Sequence, residues 1–467
     1  IATPDADFPW AYDETTLQTE AGRWTKAGAM ALKARILQFA ASPLFNDSQG
    51  YYGGTSEAEQ KRLVWYGEYK PEYWTRFKEA CKAFIDKLST DGGYSLVQAD
   101  GTRPQDYRLA YRTAYFDEGS SEIIHSVHWL NKPNSQYVWY SWMGHNRTVY
   151  SVTQEYVEMF PWSDGTPFDW DKAETEGKLN QMFIKGDSVE GKALLQNVLL
   201  TRDPRLYETA IVNGTPSTLD WTTAAMTGNP YETWVGGSTS NNNSVDEQYG
   251  FATSYRNMKY SFGEYSGHGL QWATIRLSDV YLMYAEALIQ TNTSGNFKDA
   301  IEWIDKVRAR VGMKGLVECN PDKDLLHNKE LLMQELFRER ACELGFENAR
   351  YMDMVRYKMK STFEKPLHGL RIYRMVKNPT TGKFERCNLQ WYKASKGQTF
   401  TCSDGTKVKI AYKDGIQQPT VFEYEKFELN KGKRLWWSQG FDPKWYLTPF
   451  KTTEINKGYG LVQNPGW

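Results

Sequence analysis

Two apolar stripes at helical spacing, set either side of a short break, constrain this chain more than any other feature. From Ser278 to Gln290 the residues Val280, Met283, Tyr284, Ala287 and Leu288 recur at three- and four-residue intervals. After the break TNTSGN, the segment Phe297 to Val311 repeats the spacing with Ala300, Ile301, Ile304 and Val307. Such intervals place the apolar side chains on one face of each helix, where they are removed from water only by packing on another element. With a glycine in the connection and small residues at the close-contact positions, the two segments read as one helical hairpin of the tetratricopeptide type. Two further helices follow, about Asn328 to Leu344 and Ala349 to Met359. Nearer the start, Thr25 to Ala41 carries the stripe Ala27, Met30, Ala31, Ala34, Leu37 and Ala41, and Pro43 ends it because a residue before proline avoids helical geometry. Tyr73 to Leu88 repeats the pattern with Trp74, Phe77, Cys81, Phe84, Ile85 and Leu88 before the Gly92-Gly93 turn. The expected class is all-α, a scaffold of helical hairpins.

Elsewhere the periodicity fades. From about Ser95 to Gln271 the chain runs in short segments rich in Gly, Asn, Thr, Trp and Tyr, the pattern of a large loop-rich lobe with a few short strands. Loops held on a rigid scaffold are where function is usually mounted. Val235 to Ser244 (VGGSTSNNNS) has the composition of a mobile surface loop. After Pro366 the chain is irregular again, with a strand or two near Thr406 to Tyr412. The expected divisions are 1–95 (helical scaffold), 96–270 (loop-rich lobe with the ligand site), 271–360 (C-terminal helices) and 361–467 (irregular region and tail), all within one intertwined unit.

Composition narrows the partners. A formal net charge of -1 over 467 residues gives no long-range field for phosphate, so nucleic acid is not expected. Aromatic residues make up 15% of the chain, yet the mean hydropathy is -0.66, so many rings must lie near water. Rings near water suit sugars, whose C–H faces stack on indoles and phenols while amides and carboxylates bond the hydroxyls; large rings filling an irregular core are the other reading. The five cysteines lack CxxC spacing, which removes zinc ribbons and redox motifs, and only Cys387 and Cys402 are placed to bridge a local loop. Nothing resembles a signal peptide or a run of 18 apolar residues.

Motifs for chemistry are scarce. GxSxG, GxxxxGK[ST], HExxH, GxGxxG and the EF-hand loop are all absent from the sequence. His125 and His128 form an HxxH pair with His145 as a notional third ligand, but the strand-like surroundings would send side chains three apart to opposite faces. Glu335 and Glu339 in ELFRERACE lie one helical turn apart among arginines, a pattern that usually makes salt bridges rather than a tuned acid and base. No catalytic residue, cofactor or metal is expected.

The binding candidates are clusters of rings. The segment WLNKPNSQYVWYSWMGHNRTVY supplies Trp129, Asn131, Trp139, Trp142 and Arg147, rings beside amide and guanidinium groups. A second cluster is Trp221, Tyr231 and Trp234; Tyr52 follows the first helix in a glycine-containing loop. Each cluster reads equally as loop-core packing or as a binding platform.

Several stretches together resemble the SusD/RagB family of outer-membrane nutrient-binding lipoproteins. They are GRWTKAGAMALKARILQFAASPLFN, SEIIHSV with TQEYVEMF, RDPRLYETAI, the helices IRLSDVYLMYAEALIQ, AIEWIDKVRARVGM and LLMQELFRERACELGFENARYMDMVRY, and the tail WYLTPFKTTEINKGYGLVQNPGW. The resemblance implies the tetratricopeptide-like scaffold with its loop-rich lobe. It further implies non-catalytic capture of oligo- or polysaccharide at the outward-facing surface of the cell outer membrane and delivery to a SusC-like TonB-dependent transporter. In the family a long N-terminal portion, with a lipid-modified cysteine and the first repeat helices, precedes the SPLFN-like turn. Residues 1–95 are therefore expected to be a remnant of the repeat scaffold, and membrane contact to run through a lipid anchor outside this chain.

Three other readings stay open: capture of peptides by the same architecture, which would favour a deeper cavity; a glycoside hydrolase, which needs two carboxylates facing across a cleft; and a protein-interaction scaffold, as helical hairpins alone would suggest.

Overall fold

The computed structural model describes the chain apart from residues 1, 5–6, 21, 118, 130–150, 186–198, 238–252, 261–269, 388–397, 411–421 and 430–438. Among the described residues seven helices reach eight residues or more: α1 Lys26–Ala41, α2 Glu72–Asp91, α3 Pro104–Phe116, α4 Leu277–Thr291, α5 Lys298–Arg310, α6 Lys329–Glu343 and α7 Ala349–Arg356. The strands of four residues or more are β1 Ile123–Trp129, β2 Pro216–Leu219, β3 Met226–Pro230, β4 Leu270–Arg276, β5 His368–Lys377, β6 Phe384–Cys387, β7 Gln398–Thr401, β8 Lys407–Ile410 and β9 Phe422–Glu428.

Local chemistry sets the helix ends. The Thr25 hydroxyl accepts the Gly28 N–H at 3.0 Å to open α1, which closes at Ser42, just before Pro43. Helix α7 stops at Arg356, short of the expected Met359, because Lys358 takes a left-handed φ of 52°. Helix α3 was not expected from periodicity. It buries Arg108 and Arg112 beside Ala110, Tyr111, Ala114 and Tyr115, so charge and apolar surface share the inward side and no clean stripe appears.

Helix α4 is the centre of the scaffold. Its Val280, Met283 and Ala287 pack with Ala27, Ala31 and Ala34 of α1 and Trp74, Phe77 and Phe84 of α2. Its Leu282, Ala285 and Ile289 pack with Ile304 and Val307 of α5 and Leu332 and Leu336 of α6. The hairpin of α4 and α5 forms as the spacing predicts, but α4 is covered on two sides.

The all-α expectation holds for the scaffold only. The described strands form six small antiparallel sheets, among them the ribbon of β1 and β4 and a three-stranded sheet ordered β6, β5, β9. β5 buries Leu370, Ile372, Arg374 and Val376 on alternate positions, and the buried arginine disguises that alternation in the sequence. Leu370, Ile372, Phe422 and Tyr424 share a core with Phe160, Phe183, Leu206, Tyr207 and Trp234, so the C-terminal sheet and the lobe are one packed body. All five cysteines are buried thiols, Cys387 and Cys402 included.

Scaffold and lobe meet across buried charge. In the RDPR segment Arg205 contacts Asp203 at 2.7 Å, and it reaches Glu339 at 2.5 Å and Glu343 at 3.0 Å on α6. Glu343 also holds Arg276 at 2.9 Å and pairs with Arg310, while Arg276 reaches Glu122 at 2.5 Å. Glu335 pairs with Lys323 at 2.5 Å and with Arg338 at 3.6 Å. Glu335, Glu339 and Glu343 of α6 therefore serve ion pairs, as interleaved charge suggested, but inside the protein rather than on a solvated face.

Candidate functional site

A chain of aromatic rings runs from the core of the lobe to its edge. Helix α3 supplies Tyr111, Tyr115 and Phe116; the stretch after β2 supplies Trp221; and β4 supplies Trp272. Phe116 lies 5.9 Å from Trp221 and 6.5 Å from Tyr260, and Tyr260 stacks on Trp272 with centroids 4.6 Å apart. The inner rings are fully covered, whereas Tyr107, Trp221 and Trp272 are half-buried at the margin.

Charge beneath the rings holds them in place. The Arg112 guanidinium lies 5.0 Å from the Trp221 ring centroid and donates through Nε to Glu208 at 2.7 Å; Arg108 donates to the same carboxylate at 2.8 Å. Lys259 Nζ sits 4.4 Å from the Tyr115 centroid, donates to Tyr111 Oη at 2.9 Å and meets Glu347 at 2.6 Å. Burial pushes the Lys259 ammonium down to about 8 while Glu347 opposes the shift. Among the described residues, the carboxylates beneath the rings, Glu208 and Glu347, are each engaged by a cation.

The ribbon of β1 and β4 leads to this margin. Val127 pairs with Trp272, and Trp129 pairs with Leu270 at the end of the register. Of the candidates from Trp129 to Arg147, Asn131, Trp139, Trp142 and Arg147 lie outside the described residues, and Trp129 is described in its backbone only.

The other candidates separate by burial. Trp221 and Tyr231 share one aromatic cluster, Trp221 at its half-buried edge and Tyr231 inside it at 6% exposure. Trp234 is 0% exposed, with Phe422 at 5.6 Å and the Arg374 guanidinium at 5.9 Å, so its ring belongs to the core and presents no face to a ligand. Tyr52 is 37% exposed and lies against Gly466 in the C-terminal tail. Sequence reading passed over Trp272 and Tyr107. Trp272 is a lone ring in LQWATIR, and its signal was register rather than ring density.

The HxxH histidines each meet a neighbouring hydroxyl. His125 Nδ1 lies 2.6 Å from Thr274 Oγ1 and its ring stacks on Trp24 at 3.8 Å, while His128 Nε2 lies 2.9 Å from Ser126 Oγ. His145 lies outside the described residues. Glu385, Cys402 and Asp404 bring potential ligand atoms within 4.8 Å, but Glu385 accepts the Ser403 N–H at 2.7 Å and Asp404 the Thr406 N–H at 2.9 Å.

With this geometry in view, the profile of the SusD family matches residues 109–467. The chain belongs to the SusD family. Its RDPR segment, the rings from Tyr111 onward and helices α4 to α7 all fall within the matched span. Among solved structures, a SusD-like protein from Bacteroides fragilis superposes on this SusD-family chain with a TM-score of 0.54 at 19% identity, covering 98% of this chain and 68% of that one. The protein BT4246 gives a TM-score of 0.59 at 20% identity, covering 96% and 72%. At these identities the likeness carries the fold alone. No curated protein matches the chain.

Proposed function

We propose that this SusD-family chain is a non-catalytic glycan-binding protein that captures oligo- or polysaccharide at the outer-membrane surface and delivers it to a TonB-dependent transporter. The family match over residues 109–467 carries the reading. The half-buried Trp221 and Trp272 support it, because rings that are neither fully covered nor fully exposed suit the C–H face of a pyranose. In this reading Trp129, Asn131, Trp139, Trp142 and Arg147 supply further ring faces and hydroxyl partners. Helices α4 to α7 act in this reading as tetratricopeptide-like hairpins that dock the barrel, and membrane contact runs through an N-terminal lipid anchor outside this chain.

The test is a polysaccharide array of plant, fungal and host-mucin glycans, followed by calorimetry on any hit. Trp221→Ala with Trp272→Ala, and separately Trp129→Ala with Trp139→Ala and Trp142→Ala, are expected to weaken binding about tenfold or more, as loss of stacking rings implies. Absence of any glycan binding would overturn the reading, with peptide capture next in line. Co-purification of a TonB-dependent barrel from outer membranes tests delivery; a chain that pulls down no barrel sinks that part. Release of reducing ends from polysaccharide, abolished by one Asp or Glu substitution, would make the protein a hydrolase instead.

A further inference from the structure

A second cleft, of about 1000 Å³, opens where residues 162–185 and 199–201 of the lobe face residues 319–323 and Arg338 of the scaffold. Its wall is built rather than accidental. The turn at residues 162–166 closes with Trp162 N donating to Thr166 O at 2.9 Å, and Ser163 N donates to Thr201 O at 2.9 Å. Arg308 donates to Gly165 O at 3.2 Å. Gly165 has φ +90°, and a Cβ there would sit 2.8 Å from Cys319 Sγ, so only glycine lets this turn seat against the scaffold.

Three features point to a ligand and to its chemistry. Trp162 is half-buried, with Phe168 at 5.2 Å and the Arg202 guanidinium at 5.5 Å holding the ring. Asn320 is 4% exposed; its Nδ2 donates to Leu316 O at 2.9 Å, and its Oδ1 is a buried acceptor with no donor. Five cations and four carboxylates line the cleft, and of these Lys172, Lys185, Asp164, Asp169 and Asp322 make no ion pair among the described residues. An anion would meet the carboxylates, a cation the lysines, and an apolar ligand would strip water from both. A polyhydroxylated chain fits all of them, since each hydroxyl both donates and accepts and the ring face takes its C–H surface. The volume lies at the top of the roughly 300–1000 Å³ range of small-molecule sites, which suits several sugar units rather than one.

We infer that this cleft is a second glycan-contacting surface, separate from the edge formed by Trp221 and Trp272, which gives the protein two points of attachment to one polysaccharide. The inference rests on the glycan-capture reading. Two weak contacts on one chain raise the affinity for long chains far more than for short ones.

The experiment measures binding of starch, xylan, laminarin and mucin, each as the long polymer and as a short oligosaccharide, to the wild type and three variants. These are Trp162→Ala, the exposed pair Lys172→Ala with Asp322→Ala, and the edge pair Trp221→Ala with Trp272→Ala. Lys172 and Asp322 lie on the surface, so their loss leaves the fold intact. Both cleft variants are expected to lose about tenfold in affinity for whichever long polymer binds, while the edge pair loses affinity for the short form as well. If the wild type binds a polymer and both cleft variants match it at every length, the inference fails and glycan capture stands. If none of the four polymers binds the wild type, glycan capture fails first and the inference falls with it.

Discussion

The Arg205 guanidinium and the Glu343 carboxylate lie 3.0 Å apart with both side chains fully buried, and this pair joins the RDPR segment of the lobe to α6 of the scaffold. Glu343 is shared with Arg276 and Arg310, so one carboxylate ties together guanidiniums from three separate stretches of chain, whose remaining charge is met by Asp203, Glu339 and Glu122. Glu343→Gln keeps the shape and removes the charge. It is expected to lower the unfolding free energy by about 3–5 kcal/mol, the usual cost of stranding buried charge. Glu57→Gln, which breaks an exposed pair with Lys61, should cost less than about 1 kcal/mol. Urea unfolding of both variants checks the contrast, and equal losses would contradict it.

The same carboxylate sets an acid limit. Burial alone would raise its pKa, but Arg310, Arg276 and Arg205 outweigh burial and hold it well below the usual carboxylate range. A folded-state value below the unfolded one gives stability that is present above the unfolded pKa of about 4.3 and is lost as pH falls through the folded value. Stability measured from pH 6 down to pH 3 should fall on the acid side, and the decline should be shallower in Glu343→Gln.

Lys259 acts at the other end of the scale. With its folded pKa pushed down to about 8 by burial, which Glu347 opposes, and an unfolded value near 10.4, the unfolded chain binds the extra proton between those values. Stability from this group therefore rises with pH from about 8 to about 10, by up to roughly 3 kcal/mol. Lys259→Met should remove that rise; a variant whose stability climbs as before would show that the ammonium is not desolvated.

Two candidate rings should respond in opposite ways. Trp234 is 0% exposed in the lobe core, so Trp234→Ala is expected to cost about 3–5 kcal/mol through a cavity. Tyr52 is 37% exposed, and Tyr52→Ala should change stability by about 1 kcal/mol or less. Thermal unfolding of the two variants decides the matter.

The helices were legible where apolar residues at helical spacing faced the core. The stripes of α1, α2, α4 and α5 predicted their positions to within a few residues, because 3.6-residue periodicity is a local property. Helix α3 and strand β5 were hidden by the same device, a buried arginine on the inward side: Arg108 and Arg112 are satisfied by Glu208, which lies about a hundred residues further along the chain. A charge reads as exposed until its distant partner is known.

For the site, the sequence by itself determined that the protein carries more rings than a hydrophilic chain needs for its core, that catalytic motifs are missing, and that its landmarks follow those of the SusD family. Only the tertiary structure decided which rings remain near water. Trp221 and Trp234 stand thirteen positions apart in similar company, yet Phe422 and Arg374 close over Trp234 while Trp221 stays at the margin. Burial is set by elements remote in sequence, and no local pattern records which of two tryptophans a later strand will cover.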